Sequence, residues 1–177
     1  MAKVKVQTAW LDSCSGCHMS ILDLDATLVA LADKLEFGSS PITDIKHFTP
    51  CDVGIIEGSI SNEHDEEVAK ELRANCKILM ALGDCACFGG INTMRNLFST
   101  EDIMARYYAT ESTSKDRKAP TSEDLPKLTP VRPLNQVVKV DCYVPGCPPN
   151  AKAILYALTE LLNGRIPVLP SDIMKFD

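Results

Sequence analysis

Nowhere along the 177 residues does an apolar run approach the roughly 18 that a bilayer-spanning helix demands. The amino terminus shows no basic stretch followed by an apolar core and a cleavage site. The expectation is a cytoplasmic protein with no membrane partner. Basic residues are in the minority, 18 against 24 acidic ones, for a formal charge of -6. A phosphate backbone would be repelled on average, so nucleic acid is not an expected partner. Also missing are a Gly-x-Gly-x-x-Gly turn after a strand and a Walker A loop, which leaves nucleotide binding by this chain without a motif. Histidine is sparse: His18, His47 and His64 show no shared metal spacing and default to structural or surface roles, with His18 the exception because it adjoins a cysteine pair.

Cysteine, by contrast, is plentiful at eight residues. In a reducing compartment these read as metal ligands, redox groups or buried apolar residues rather than a disulfide framework. Their placement is informative. Cys14-Ser15-Gly16-Cys17 follows an apolar run and precedes a helical pattern. Gly83-Asp84-Cys85-Ala86-Cys87-Phe88-Gly89-Gly90 and Val144-Pro145-Gly146-Cys147-Pro148-Pro149 repeat that arrangement further along.

At 45% hydrophobic content, 177 residues suit one domain over 1–177. Residues 3–10 begin with alternation and then turn apolar, as a strand entering a core does. Ile21, Leu24, Leu28, Leu31 and Leu35 then recur at helical steps, predicting one amphipathic helix that ends near Gly38 and packs on a core. A second strand is expected over 52–57, and Asn62 is a candidate cap for a helix whose acidic first turn, Glu63, Asp65, Glu66 and Glu67, is read as a solvated face. Residues 77–82 form a third, almost uniformly apolar strand, as expected when both faces are covered. After mixed helical character over 92–109, a polar excursion at about 111–133 precedes strand character at Val137–Val140. Pro148 and Pro149 fit the first turn of a final helix carrying Ile154, Leu158, Leu161 and Leu162 and stopping at Gly164.

Strands alternating with helices imply a parallel sheet with its strand ends along one edge. Ligands of such sheets sit at the carboxyl ends, so Cys14, Cys17, Cys85 and Cys147 can converge although 67 residues separate the second from the third. Four thiolates from three loops suit an iron-sulfur cubane, and Gly16, Gly83 and Gly146 would let the backbone turn tightly beside it. Cys87 could replace Cys85 on spacing alone. Cys51, Cys76 and Cys142 read as buried, inert thiols. Three rivals have weaknesses. Cys-x-x-Cys-His formally matches a c-type haem attachment, but no export signal accompanies it. A thioredoxin-like pair leaves Cys85 and Cys147 without a purpose. Structural zinc usually uses two compact knuckles rather than one pair and two distant singles.

These three loops together resemble the small subunit of a nickel-iron hydrogenase, in the short cytoplasmic form of bidirectional NAD-reducing enzymes. Cys14-Ser-Gly-Cys17 is similar to the family's first pair, Gly83-Asp-Cys85-Ala-Cys87-Phe-Gly89-Gly90 to its Gly-x-Cys-Ala-x-x-Gly-Gly loop, and Pro145-Gly-Cys147-Pro-Pro to its final turn. His18-Met-Ser-Ile-Leu-Asp-Leu-Asp25 resembles the run that follows the pair in the NAD-reducing branch. The resemblance implies an α/β, flavodoxin-like parallel sheet with helices on both faces. It also implies one proximal [4Fe-4S] cluster on Cys14, Cys17, Cys85 and Cys147, with Cys87 at a variable position. No catalytic residue is expected in this chain, which would serve as a subunit of a hydrogen:NAD+ oxidoreductase without being catalytic alone. Expected partners are a large subunit with the Ni-Fe centre and diaphorase subunits with further iron-sulfur clusters, FMN and NAD. Longer members carry an export signal and additional clusters, which this sequence lacks, and that is the basis for expecting the soluble branch. Glu57 is placed at the same sheet edge, near the cluster or the large-subunit interface, or as a capping carboxylate. The quinone-side cluster subunit of complex I, a related family and the alternative reading, has two adjacent cysteines where this chain has Cys-x-x-Cys. A zinc-stabilised binding module is the other alternative.

Overall fold

The computed structural model describes residues 3–111, 113 and 115–174; positions 112 and 114 of the expected excursion and both chain ends of the 1–177 domain lie outside the described residues. The chain opens with strand β1 (Val4–Trp10), the short helices α1 (Gly16–Leu22) and α2 (Ala26–Leu31), and strand β2 (Leu35–Phe37). Strand β3 (Cys51–Glu57) and a short strand β4 (Ile60–Asn62) lead into helix α3 (Glu63–Asn75), strand β5 (Cys76–Leu82) and the six-residue helix α4 (Gly83–Phe88). A 3-10 segment, the short helix α5 (Thr100–Met104) and a π-helical turn precede strand β6 (Leu128–Arg132). Strand β7 (Cys142–Val144) and helix α6 (Ala151–Leu162) complete the fold.

The main sheet has the order β2-β1-β3-β5-β7, and every pairing in it is parallel. With β4 and β6 set aside this is the 2-1-3-4-5 winding of flavodoxin-like folds, whose order reverses between β1 and β3. Both faces are covered. Val6, Val53, Ile55, Met80 and Leu82 pack with Ile21, Leu24, Leu31, Ile154, Leu158 and Leu161 from α1, α2, the turn between them, and α6. On the opposite face Ala9, Ile56, Leu79 and Ala81 meet Ala69, Leu72, Ala86 and Cys87 from α3 and α4. Burial on both sides is why β3 and β5 are so apolar, and side chains such as Ile56, Leu79 and Met80, at 0% exposure, each contribute about 1.5–3 kcal/mol. Among the described residues no helix is long and apolar enough to cross a membrane.

Several sequence expectations change in detail. The stripe from Ile21 to Leu35 does line the core, but its carrier is broken: Asp25 takes φ 48° between α1 and α2, and Leu35 opens strand β2. Asp23 and Asp25 are poor helix formers that favour caps and turns, which accounts for the break. Asn62 caps α3 as expected, accepting the Asp65 N–H at 2.9 Å. Within the acidic turn Asp65 is not solvated; it is buried and accepts hydrogen bonds from the Ser61 backbone, the Ser61 hydroxyl and the Asn62 amide. The polar excursion contains β6, which pairs antiparallel with β4 and is held by Arg95 reaching the carbonyls of Ser61 and Thr129. Val137–Val140 is not a strand. Val137 and Val138 pack on the α3 face as irregular chain, and pairing with β5 begins only beyond Asp141. Three valines around a lysine do not by themselves separate strand from buried coil. Pro148 and Pro149 lie ahead of α6, whose cap is Asn150, accepting the Ala153 N–H at 2.9 Å.

Asp141 fastens α3 to the sheet. Its Oδ2 accepts from Arg73 Nη1 at 2.5 Å and from the Leu79 N–H at 2.8 Å. Burial pushes this carboxyl up, but the Leu79 and Arg73 hydrogen bonds outweigh it and hold the group below the usual carboxylate range. A lowered native pKa adds stability above the unfolded value near 3.9 and loses it as the pH falls through the native one. Asp141→Asn is expected to lower stability by about 1.5–3 kcal/mol at pH 7, with the gap to the parent closing below about pH 4, as read by urea unfolding at both pH values.

Candidate metal centre

The carboxyl ends of β1, β3, β5 and β7 share one edge, and the cysteine loops leave from three of them. Cys14 and Cys17 follow β1, with Cys17 in the first turn of α1; Cys85 lies in α4 directly after β5; Cys147 follows β7. The loops interlock through the backbone. The Asp84 N–H donates to the Gly146 carbonyl at 2.9 Å, and the Gly146 N–H donates to Asp84 Oδ1 at 2.8 Å. Ser20 Oγ on α1 donates to the Pro149 carbonyl at 2.5 Å. The first loop is braced from below by an Asp12–Ser59 bridge and by Asn92 Nδ2, which donates to the Asp12 carbonyl at 2.6 Å and to Ser59 Oγ at 2.9 Å.

This interlocking brings four thiols together: Cys14, Cys17, Cys85 and Cys147. Burial first, then the negative charges of Glu57, Cys85, Cys14 and Cys147, push the Cys17 thiol far above its ordinary range. Cys85 is likewise raised, by burial and then by Cys147 and Cys14. Repulsion of this kind requires proximity, and it means that the Cys17 and Cys85 thiolates need cationic charge beside them to stay ionised. Cys14 and Cys147 are exposed and Cys17 and Cys85 half-buried, so the group opens to the surface. The remaining cysteines lie elsewhere. Cys87 is buried on the α3 face with its Sγ 3.6 Å from the Ala81 carbonyl, and burial pushes it up to about 12. Cys51, Cys76 and Cys142 are buried, and burial raises Cys51 to about 11 and Cys142 to about 12.

Glycines make room for the sulfurs. A Cβ on Gly83, where φ is +84°, would collide with Cys17 Sγ, and one on Gly16 would stand 3.3 Å from Cys14 Sγ. Gly146, at φ +141°, supplies a turn as expected, whereas the left-handed residue of the first loop is Ser15 rather than Gly16. Gly16 is there for space. Of the histidines, His47 and His64 are exposed, while His18 is buried between Glu57 and Thr8 with its ring edge-on to Trp10. Asp84 escaped the sequence reading because its partner, the Gly146 amide, is 62 positions away.

A flavodoxin-like α/β domain with three cysteine-bearing loops at the carboxyl edge of its sheet is the class these features define. Comparison with known proteins carries this further. Residues 14–161 match the family described as NADH ubiquinone oxidoreductase, 20 Kd subunit. Over 99% of its length the chain is 41% identical to the delta subunit of the NAD-reducing hydrogenase HoxS of Cupriavidus necator, of which it spans 86%. It is also 41% identical to a subunit of the F420-non-reducing hydrogenase vhu of Methanococcus voltae, but spans only 61% of that protein. A chain in the crystal structure of an NAD+-reducing [NiFe]-hydrogenase in the H2-reduced state superposes with a TM-score of 0.95 at 39% identity, covering 99% of this chain and 100% of that one. The chain belongs to the NADH ubiquinone oxidoreductase 20 kDa subunit family, in its hydrogenase small-subunit branch. That family takes its name from complex I, so the two related readings of the sequence meet in one family.

Gly83→Ala places a methyl group against Cys17 Sγ, whereas Gly164→Ala, at φ +71° with nothing within 4 Å, carries only backbone strain. Gly164→Ala is expected to cost about 1–2 kcal/mol and Gly83→Ala clearly more. Thermal unfolding of the two variants side by side measures the difference, and equal losses would mean that the sulfur is free to move aside.

Proposed function

We propose that this chain is the electron-transfer small subunit of an NAD-reducing [NiFe] hydrogenase, holding one [4Fe-4S] cluster on Cys14, Cys17, Cys85 and Cys147. The convergence of these four thiols at the carboxyl edge of the sheet carries the reading. The donor set fits the group: a cubane takes one thiolate per iron, and its iron supplies the positive charge that crowded thiolates require. A single zinc ion would instead draw four sulfurs to within about 3.8 Å of one another, from Zn–S bonds of about 2.3 Å. Among the described residues no three His, Cys, Asp or Glu side chains form such a group.

When bound, the cluster supplies reversible one-electron transfer. The chain's own residues hold and shield it. Asp84 and Gly146 lock the second and third loops together, Ser20 ties α1 to the third, and Gly16 and Gly83 leave the space that the sulfurs occupy. Electrons must enter and leave through partners, and the surface is built for contact. Trp10, Met19 and Leu22 are exposed beside Cys17 on the α1 face, while Phe88, Ile91, Met94 and Phe98 are exposed in the segment following Cys85. Apolar surface of this extent marks protein interfaces. Two such surfaces flanking the thiols suit a chain placed between two partners, a large subunit with the Ni-Fe centre and a diaphorase module with iron-sulfur clusters, FMN and NAD.

Purified anaerobically with its partners, the parent chain is expected to carry four irons and to bleach in the visible on reduction. Cys14→Ser and Cys147→Ser should each deplete that iron, whereas Cys51→Ser should leave it intact. Zinc in place of iron, or iron unaffected by Cys147→Ser, would overturn the assignment. On exposure to air the isolated chain is expected to lose its iron faster than the assembled enzyme, since Cys14 and Cys147 are then open to solvent.

A further inference from the structure

Beneath the first cysteine pair lies a carboxylate that electron relay as described above does not use. Glu57, the last residue of β3, is 1% exposed and stands in register between Trp10 of β1 and Leu82 of β5. It therefore sits under the gap between the loop of Cys14 and Cys17 and the loop of Cys85. Its Oε2 accepts the backbone N–H of His18 at 2.7 Å and makes a short contact with His18 Nδ1. The far side of that ring is held by Thr8 Oγ1 at 2.9 Å, and Thr8 in turn bonds Ser40 Oγ at 3.1 Å. Among the described residues Oε1 is buried with no hydrogen-bond partner.

Capping His18 accounts for Oε2 but not for the burial of Oε1. Burying a carboxylate is costly and ordinarily ends in its protonation. Burial does push Glu57 up, yet the hydrogen bonds from His18 outweigh it and keep the group below its usual range, with the Ser13 side chain adding in the same direction. Ser13 precedes Cys14 and His18 follows Cys17, so the carboxylate is set behind the whole pair.

We propose that Glu57 is a positioning residue that sets the potential of the centre: its fixed negative charge, anchored by His18 behind Cys14 and Cys17, opposes the arrival of an electron and lowers the centre's reduction potential. This rests on the four-cysteine cluster proposed above. No bond forms or breaks at Glu57; its effect is Coulombic, in a site where burial weakens screening.

The test is a potentiometric titration of the cluster in the complete enzyme, followed by electron paramagnetic resonance, with iron counted in each sample. Glu57→Gln preserves size and an acceptor for the His18 N–H but removes the charge. It is expected to keep its iron and to raise the ratio of reduced to oxidised cluster at a fixed potential about tenfold, a midpoint shift of about 59 mV for one electron. Glu57→Asp, which keeps the charge, should stay close to the parent. A Gln variant with the parent's midpoint overturns the proposal. Loss of iron from the Gln variant overturns it as well, because the carboxylate would then be a structural strut. If the parent enzyme itself lacks iron at these cysteines, the relay reading has failed, and the iron count shows that before any variant is compared.

Discussion

Everything at the functional edge depends on strand direction. Because β1, β3, β5 and β7 are parallel, each crossover must return the chain to the far side of the sheet, and each strand then releases its following residues on the same edge. Three cysteine loops spread over more than 130 positions thereby reach one place. Were any one strand reversed, its thiols would emerge at the opposite end of a seven-residue strand such as β3 or β5, roughly 20 Å away. The apolar runs in β3 and β5 are thus part of the site's construction, since only a sheet covered on both faces can carry helical crossovers on each side.

The edge itself is a balance between crowding and repulsion. Cys17 and Cys85, whose thiols burial and the neighbouring cysteines push up, with a buried carboxylate close by, are costly as bare anions and become favourable only when cationic charge is placed beside them. The fold accepts that arrangement because its loops are fixed by contacts that do not involve the sulfurs: the Asp84–Gly146 pair, the Ser20–Pro149 bond and the bridge from Asp12 to Ser59. Pre-set backbone of this kind limits how far the thiols can move apart to relieve their repulsion. Exposed aromatic and aliphatic side chains, among them Trp10, Met19, Phe88 and Ile91, stand on both flanks of this edge.

How much of this could be read from the chain varies with the range of the interaction. Residues 77–82 announced a buried strand because five successive apolar side chains after Lys77 fit a doubly covered position, and Asn62 announced a cap because its partner lies three residues on. The Ile21–Leu35 stripe gave the right core face but the wrong element, since periodicity records which side is buried and not whether the helix persists through Asp23 and Asp25. Val137–Val140 misled for a related reason: a short apolar run packs equally well as coil. β4 and β6 were missed because each is stabilised chiefly by the other, across 66 positions between Asn62 and Leu128.

The spacing of Cys14 and Cys17, the glycine and proline chemistry around Cys85 and Cys147, and the alternation of strand and helix were determined by sequence alone, because each is a local property of bonded neighbours. What only the tertiary structure decided is which groups meet. Cys85 rather than Cys87 faces the shared edge because α4 turns Cys87 into the core against Ala81. Asp84 finds the Gly146 amide, and Glu57 comes to rest behind Cys17 with His18 sealed above it. Those encounters arise from strand register and helix rotation, which are fixed when the two faces of the sheet pack, and no window of sequence contains both partners.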